Sequence, residues 1–513
     1  MKKLLIAFIM KKLLIAFMLC AFGSDAAEKV NFFEPTVVPT PVKAEWTTSV
    51  AVPLEKGSAK VRILCGGKEL EASVAWFSRH FREAFGFDCS TTASDVGALT
   101  KAEAYEMSAD PKEGVTIRAA GLVGVRHAFY TLRQIAIRKR GGLTATDWTM
   151  PAFRIADEPK LAFRGFHFCW FPEQRVTQIE RQIRLAAYYK FNVVVLENWG
   201  VYRSEKYPWF GWKDGKMTPA EVRRLKAVAD DVGVTLVPQL NVFGHASLSR
   251  VRTGNHAALN VSPEYEPVFE PYSGWNWCLS NPAARQMIKD LMVELHDLFG
   301  RPPYFHIGCD EGCPPTCPNC RATDYNELFA SLLREISVLM EKRGASLLMW
   351  HDMLLQKGDT RWGPFYANGF EGAEDLLRSL PKTLIVCDWY YGGPQKAYPT
   401  LDYFQKEGFR TVTSPICSNL AGIDALGKAA VDKGLFGLLQ TNWGSFYGRE
   451  MAGCFPRAAC AAWGTVYPGS RLPQDITSPV NHHLRQVLQD MGAVNYEDTG
   501  FDDEQVPVHS VTR

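Results

Sequence analysis

Beyond residue 150 the chain alternates between two hydrophobic periods. Short apolar or β-branched runs, LAFRGFHFCW, NVVVLEN, TLVPQLN, YFHIGCDE, SLLMWHDM, LIVCDWYY, RTVTSPIC and GLLQTNW, recur at spacings of roughly 25 to 70 residues. Between them lie amphipathic stretches such as QIERQIRLAAYYK, PAEVRRLKAVADDVG, PAARQMIKDLMVELHDLFG and NELFASLLREISVLMEKRG, opened by Thr or Asn with Pro and closed by Gly. Eight strands alternating with helices predict an α/β architecture, a parallel (β/α)8 TIM barrel over 151–470. A doubly wound open sheet is the alternative, but no Gly-rich phosphate motif follows the first strand, as a nucleotide-binding version requires. Before the barrel, β-like runs (VRILCG, GVTIRAA) mix with two helical patterns (AWFSRHFREAFG, VRHAFYTLRQIAIRK), which predicts a small α+β front domain over 27–150 with a linker near Thr144 to Pro159. Residues 471–513 read as a polar C-terminal tail.

Residues 1–26 carry lysines, then apolar stretches, then small residues, the pattern of a secretory signal peptide. The octet MKKLLIAF occurs at Met1 and again at Met10, so either methionine could be the start. Loss of this segment removes Lys2, Lys3, Lys11, Lys12 and Asp25 and takes the formal charge from +2 to −1. The expected location is therefore exported, periplasmic or extracellular; lipid attachment at Cys20 is the weaker alternative because Leu19 before it is bulky. No other segment is long and apolar enough for a stable membrane span. The balanced charge and lack of a basic run argue against nucleic acid as a partner. Nothing in the pattern sets an oligomeric state.

A barrel demands that its chemistry gather at the C-terminal ends of its strands. There the runs finish with Glu197 and Asn198, Gln239 and Asn241 with His245 shortly after, Asp310 and Glu311, Trp350 and Asp352, Asp388 with Trp389 and Tyr390, and Trp443 with Glu450 downstream. The chain is 12% aromatic, and tryptophan beside carboxylate suits a sugar: aromatic faces cover the apolar side of a pyranose while carboxylates and amides bind its hydroxyls. Consecutive residues such as Asp310 and Glu311 cannot easily supply the pair of carboxyls about 5 to 5.5 Å apart across the sugar that an ordinary retaining glycosidase uses. A nucleophile borrowed from the substrate is then attractive. Single cysteines in apolar strands (Cys169, Cys387, Cys417) read as buried thiols. Cys313, Cys317 and Cys320, in CPPTCPNC, form a local disulfide or free thiols on one reading and a structural metal site on another.

The ending HIGCDE (His306 to Glu311) resembles the signature of glycoside hydrolase family 20, the β-N-acetylhexosaminidases. GLVGVRHAFYTLRQI, DEPKLAFRGF, YYKFN, VPQLNVFGHAS, LLMWHDM and TNWG fall in the order that the resemblance requires, from roughly residue 100 to 465. The resemblance implies an exported, retaining, substrate-assisted enzyme that removes β-linked GlcNAc or GalNAc from glycans, without cofactor or catalytic metal. It implies Glu311 as general acid and base, and Asp310 as the group that orients the substrate's 2-acetamido function. Arg164 would hold ring hydroxyls, Trp350, Trp389 and Trp443 would wall the pocket, and Tyr390 or Tyr391 would bind the acetamido oxygen. Asp352 would line the site, Glu450 would bind the O4/O6 side, and His245 would sit behind Glu311. The chain departs from the family at Gln239 and Asn241 and after strand two, where Glu197, Asn198 and Trp199 stand in place of paired acids. This divergent branch leaves the choice between GlcNAc and GalNAc open. Two rivals remain: a glycosidase with a second carboxylate across the pocket (Glu197, Asp352 or Asp388), and a carbohydrate-binding protein with a decayed site.

Overall fold

The computed structural model describes residues 32, 34–95, 99–138, 148–172, 174–211, 215, 217–247, 263–271, 274–443 and 449–468. The expected signal peptide, Cys20 and the tail beyond 471 lie outside the described residues. The front domain is a seven-stranded mixed sheet. Its strands are β1 (Lys43–Leu54), β2 (Lys60–Cys65), β3 (Ser90–Asp95), β4 (Tyr105–Asp110), β5 (Gly114–Ala119), β6 (Ile137–Arg138) and β7 (Trp148–Asp157), in the order β1-β7-β4-β5-β2-β3 with β6 on β7. Strand β7 pairs with both β1 and β4, so the sheet runs through the segment read from sequence as a linker and past the expected boundary at 150. Its residues Trp148, Met150, Phe153 and Ile155 are core, which is why the segment is a strand.

Eight parallel strands close the second unit: β8 (Phe163–Trp170), β9 (Val193–Asn198), β10 (Thr235–Gln239), β11 (Tyr304–His306), β12 (Ser346–Trp350), β13 (Ile385–Trp389), β14 (Arg410–Ser414) and β15 (Gly437–Gln440), with β15 pairing back to β8. Each coincides with one of the eight apolar runs. The helices between them end as their sequences dictate: Thr218 caps Pro219–Val232 in a reciprocal box with Glu221, and Gly233 terminates it in the left-handed conformation. Because strand side chains alternate, every second residue faces the barrel axis. Phe163, Val193, Val195, Val237, Leu348, Trp350, Ile385, Cys387, Trp389, Val412 and Leu439 form that inner cluster. Tyr304 and Phe436 join it at the N-terminal end, and Tyr391 and Trp443 at the C-terminal end.

The helices Leu70–Phe85 and Leu122–Ile135 of the front domain meet the barrel's outer face. Trp76 Nε1 donates to the Asp231 carbonyl at 2.6 Å, and Arg126 donates to the carbonyl of Asp230. Deeper in the junction the fully buried Lys190 ammonium lies 3.0 Å from Asp157 and 3.0 Å from the Tyr105 hydroxyl. Trp463 Nε1 donates to the other oxygen of Asp157 at 2.8 Å. A buried charge is tolerable only when so paired, and this network ties the last front strand to the barrel.

Candidate active site

Strand β11 is only three residues long, and the chain leaves it through a sharp turn. Gly308 and Cys309 adopt φ of 63° and 74°, and Glu311 a φ of 50°. A side chain at Gly308 would strike the Asn241 amide, and one at Gly244 would strike the Asp310 carbonyl, so both glycines are required for the loops after β10 and β11 to approach. The turn brings Asp310 and Glu311 together at the barrel mouth. Asp310 is nearly buried and its Oδ1 has no hydrogen-bond partner among the described residues, whereas half of the Glu311 side chain is exposed (51%).

His245 faces both carboxylates. Its Nε2 is 3.4 Å from Asp310 Oδ2 and 3.4 Å from Glu311 Oε2, and its ring packs on Trp275 with centroids 4.2 Å apart. Burial opposes charge on the imidazole, but the two carboxylates outweigh it and raise the pKa to about 10. Trp275 Nε1 donates to the Glu311 carbonyl at 2.7 Å and so joins the histidine's loop to the acid's loop.

Asp352 lies beneath. Its Oδ2 accepts from the Glu311 N–H at 2.9 Å and from Asn368 Nδ2 at 2.9 Å, while Oδ1 accepts from Trp389 Nε1 at 3.2 Å. Burial and the nearby charge of Asp310 push its carboxyl up to about 7. The sequence reading gave Asp352 to the substrate; the structure makes it the hub that sets Glu311 and Trp389.

The floor of the site is aromatic. Trp350 lies 5.5 Å from Trp443 and 4.3 Å from His306, centroid to centroid, and Trp389 stacks on Tyr366 at 4.2 Å. Trp350, Trp389 and Trp443 are thus brought to one end of the barrel as expected. Tyr391 belongs with them: its hydroxyl pairs with Trp443 Nε1 and its ring lies 4.9 Å from Trp389. Tyr390 faces the other way, against Phe365 at 4.6 Å with its hydroxyl accepting from Gln395 at 2.8 Å. The expectation that placed Tyr390 in the pocket is therefore corrected to Tyr391, because alternate residues after Trp389 point inward.

Arg164 is also corrected. It precedes inward-facing Gly165 and points out of the barrel near its N-terminal end. There it pairs with Glu103 of the front domain, donates to the carbonyls of Lys190 and Leu161, and stacks on Trp463. Its place is structural. The side chain of Glu450 lies outside the described residues.

His167, two residues beyond Gly165, is an inward residue that sequence reasoning missed. Its Nε2 is 2.8 Å from Glu197 Oε2, and its ring lies 4.6 Å from Trp443. Asn241 donates to the other oxygen of Glu197 at 3.0 Å and accepts from Gln239 at 3.3 Å. Burial pushes the Glu197 carboxyl up, but His167, the charge of His245 and Asn241 together leave it below its ordinary value. The inward period of β8 was the signal that could have found His167. Asp388, another candidate carboxylate, points outward to His351 at 3.7 Å, and burial raises it to about 7.

Among the described residues, two groups of donor atoms are compact enough for a metal: His167, Cys169 and Glu197, and Cys278, Cys317 and Cys320. In the first, the atoms already satisfy one another by hydrogen bonds. Cys417, read as a thiol, instead forms a disulfide with Cys454.

Comparison with known proteins fits this geometry. Residues 174–417 match the family description "Glycosyl hydrolase family 20, catalytic domain", and residues 34–158 match "Glycosyl hydrolase family 20, domain 2". A beta-hexosaminidase of Porphyromonas gingivalis is 26% identical over 304 residues, covering 51% of this chain and 37% of that protein. A beta-N-acetylhexosaminidase of Cellulomonas fimi is 29% identical over 237 residues, 41% of this chain and 44% of that one. The chain thus spans less than half the length of these curated relatives. Among solved structures, the exo β-N-acetylglucosaminidase of Vibrio harveyi in complex with N-acetylglucosamine superposes with a TM-score of 0.66 at 19% identity, covering 92% of this chain and 80% of that one.

Proposed function

This chain belongs to glycoside hydrolase family 20, and on that premise we propose that it removes terminal β-linked N-acetylhexosamine from glycans by a retaining, substrate-assisted mechanism. The observation that carries the reading is the fate of the other candidate carboxylates among the described residues. A conventional retaining enzyme needs a nucleophilic carboxylate opposite the acid. Glu197 is engaged by His167 and Asn241, Asp352 by Glu311, Asn368 and Trp389, and Asp388 faces outward. Asp310 and Glu311 remain at the mouth with His245 between them.

In this mechanism Glu311, on the exposed side, delivers a proton to the glycosidic oxygen as the bond to the anomeric carbon breaks. The unpartnered Oδ1 of Asp310 accepts the acetamido N–H and turns the acetamido oxygen onto the anomeric carbon, which forms the oxazolinium. Glu311 then takes a proton from the water that opens this ring, and the configuration is retained. His245, cationic between the two, offsets the charge of adjacent carboxylates. Trp350, Trp389 and Trp443 supply the apolar floor for the pyranose, and Tyr391 presents its hydroxyl from the same face.

Comparative hydrolysis of 4-nitrophenyl β-GlcNAc, β-GalNAc and β-glucoside tests the proposal. The acetamido sugars should be cleaved and the plain glucoside left nearly untouched; equal cleavage of the glucoside would remove the acetamido group from the mechanism. Residual activity unchanged in Glu311→Gln would favour a binding protein with a decayed site. The amino-terminal pattern of residues 1–26 supports export, with glycans of the periplasm or exterior as the substrates encountered. Among the described residues no helix is long and apolar enough to cross a membrane.

A further inference from the structure

The cysteine motif after Glu311 acquires a third member in the folded chain. Cys278, on the segment that follows Trp275 and Trp277, reaches across to Cys317 and Cys320, and the three sulfurs lie within 4.8 Å of one another. Cys278 Sγ and Cys320 Sγ are 3.8 Å apart. That is well beyond the length of about 2.05 Å of a disulfide. It equals the edge of about 3.8 Å of a tetrahedron whose centre is a zinc ion with bonds of about 2.3 Å to sulfur. Ser280 Oγ stands 3.0 Å from Cys320 Sγ, 3.6 Å from Cys278 Sγ and 3.7 Å from Cys317 Sγ, near the fourth corner of the same figure.

A second observation points independently to a cation. Glu270 is 2% exposed, and its Oε2 accepts the N–H groups of Thr316 at 2.7 Å and Cys317 at 2.8 Å. Its Oε1 is buried with no hydrogen-bond partner among the described residues. A buried carboxylate oxygen left without a donor beside three thiols is costly unless positive charge stands nearby.

We propose that Cys278, Cys317 and Cys320 bind a structural zinc ion, with Ser280 at the fourth corner and Glu270 supplying further negative charge. Each Zn–S bond forms as a thiol proton leaves to solvent, so binding is proton-linked and oxidises nothing. The ion would staple the segment after β10 to the loop after β11. These two segments already exchange hydrogen bonds between Asn276 and the backbone of Cys313 at 2.6 and 3.1 Å, and between Trp275 and Glu311. The staple therefore lies on the loop that carries the catalytic pair, outside the sugar site, and its standing does not depend on which sugar is cleaved.

Elemental analysis of the full, untagged chain purified without chelators tests this. One zinc per chain is expected in the wild type and in Cys313→Ser, whose sulfur is outside the cluster, and far less than one in Cys278→Ser and Cys317→Ser. Cobalt exchanged into the wild type should show sulfur-to-cobalt charge-transfer absorption. Should the serine variants fail to fold, alkylation of the wild type replaces them: a strong chelator should expose Cys278, Cys317 and Cys320 together, as mapped by peptide mass. A wild type without zinc, or with any two of these cysteines joined in a disulfide, or zinc retained in both serine variants, overturns the proposal.

Discussion

Asp352 Oδ2 accepts the backbone N–H of Glu311 at 2.9 Å, so a buried carboxylate on the loop after β12 fixes the residue that leaves β11. The same carboxyl holds Trp389 through its other oxygen, and Asn368 shares the first. In Asp352→Asn one amide oxygen cannot serve both sides, and its NH2 faces a donor. One charge-assisted hydrogen bond is worth about 1.5 to 3 kcal/mol. Turnover should fall on the order of 10-fold or more, with the fold retained by circular dichroism. Because burial raises the Asp352 pKa to about 7 from 3.8, the folded state holds a proton there that the unfolded state releases. Wild-type stability should therefore decline as pH rises from 3.8 to about 7, and Asp352→Asn should lack that decline in a series of melting curves.

Glu311→Gln removes the proton donor while keeping shape. Turnover of 4-nitrophenyl β-GlcNAc should fall by a factor on the order of 10² to 10⁴. The loss should be smaller for aglycones that leave without protonation, which a series of leaving groups measures directly.

Asp310→Asn should penalise acetamido substrates most, since the role of Asp310 exists only when that group attacks. A thiazoline that mimics the oxazoline should inhibit the wild type tightly and this variant weakly. Equal inhibition of both by calorimetry would separate Asp310 from the intermediate.

Tyr391→Phe should lower kcat on the order of 10²- to 10³-fold, the usual worth of a single donor at a developing charge. Tyr390→Phe, which loses only the contact with Gln395, should stay within about twofold. The pair of variants, assayed side by side, checks the inward assignment.

His245, whose pKa is raised from 6.5 to about 10 by Asp310 and Glu311 despite burial, holds a proton that the unfolded chain loses near 6.5. The sign follows: its stabilisation is complete below 6.5 and is lost as pH rises through about 10. His245→Gln should flatten the fall in melting temperature across that window, and the imidazole of the wild type should remain protonated at neutral pH by NMR.

Much of the fold was legible because each barrel strand is buried on both faces and so reads as an apolar run. The front boundary was not, since β7 is a strand only by virtue of its pairing with β1 and β4. Within the site, the ends of runs located Asp310, Glu311, His245 and the three tryptophans. Which residue faces the barrel interior was a matter of parity: Tyr391 and not Tyr390, His167 and not Arg164. That parity is readable along one strand once a single inward residue is known, and only closure of the barrel supplies that residue.

By itself the sequence determined the eightfold alternation, the HIGCDE turn and the residue types that a sugar site needs, because hydrophobic period and local turn chemistry are written along the chain. The tertiary structure decided what distant segments do to one another. It placed the charge of His245 between two carboxylates, set Asp352 under the Glu311 amide, sent Arg164 to Glu103, and carried Cys278 to Cys317 and Cys320. These are contacts across strands, loops and domains, and their distances, burial and pKa shifts arise only when closure brings groups far apart in the chain within a few ångströms.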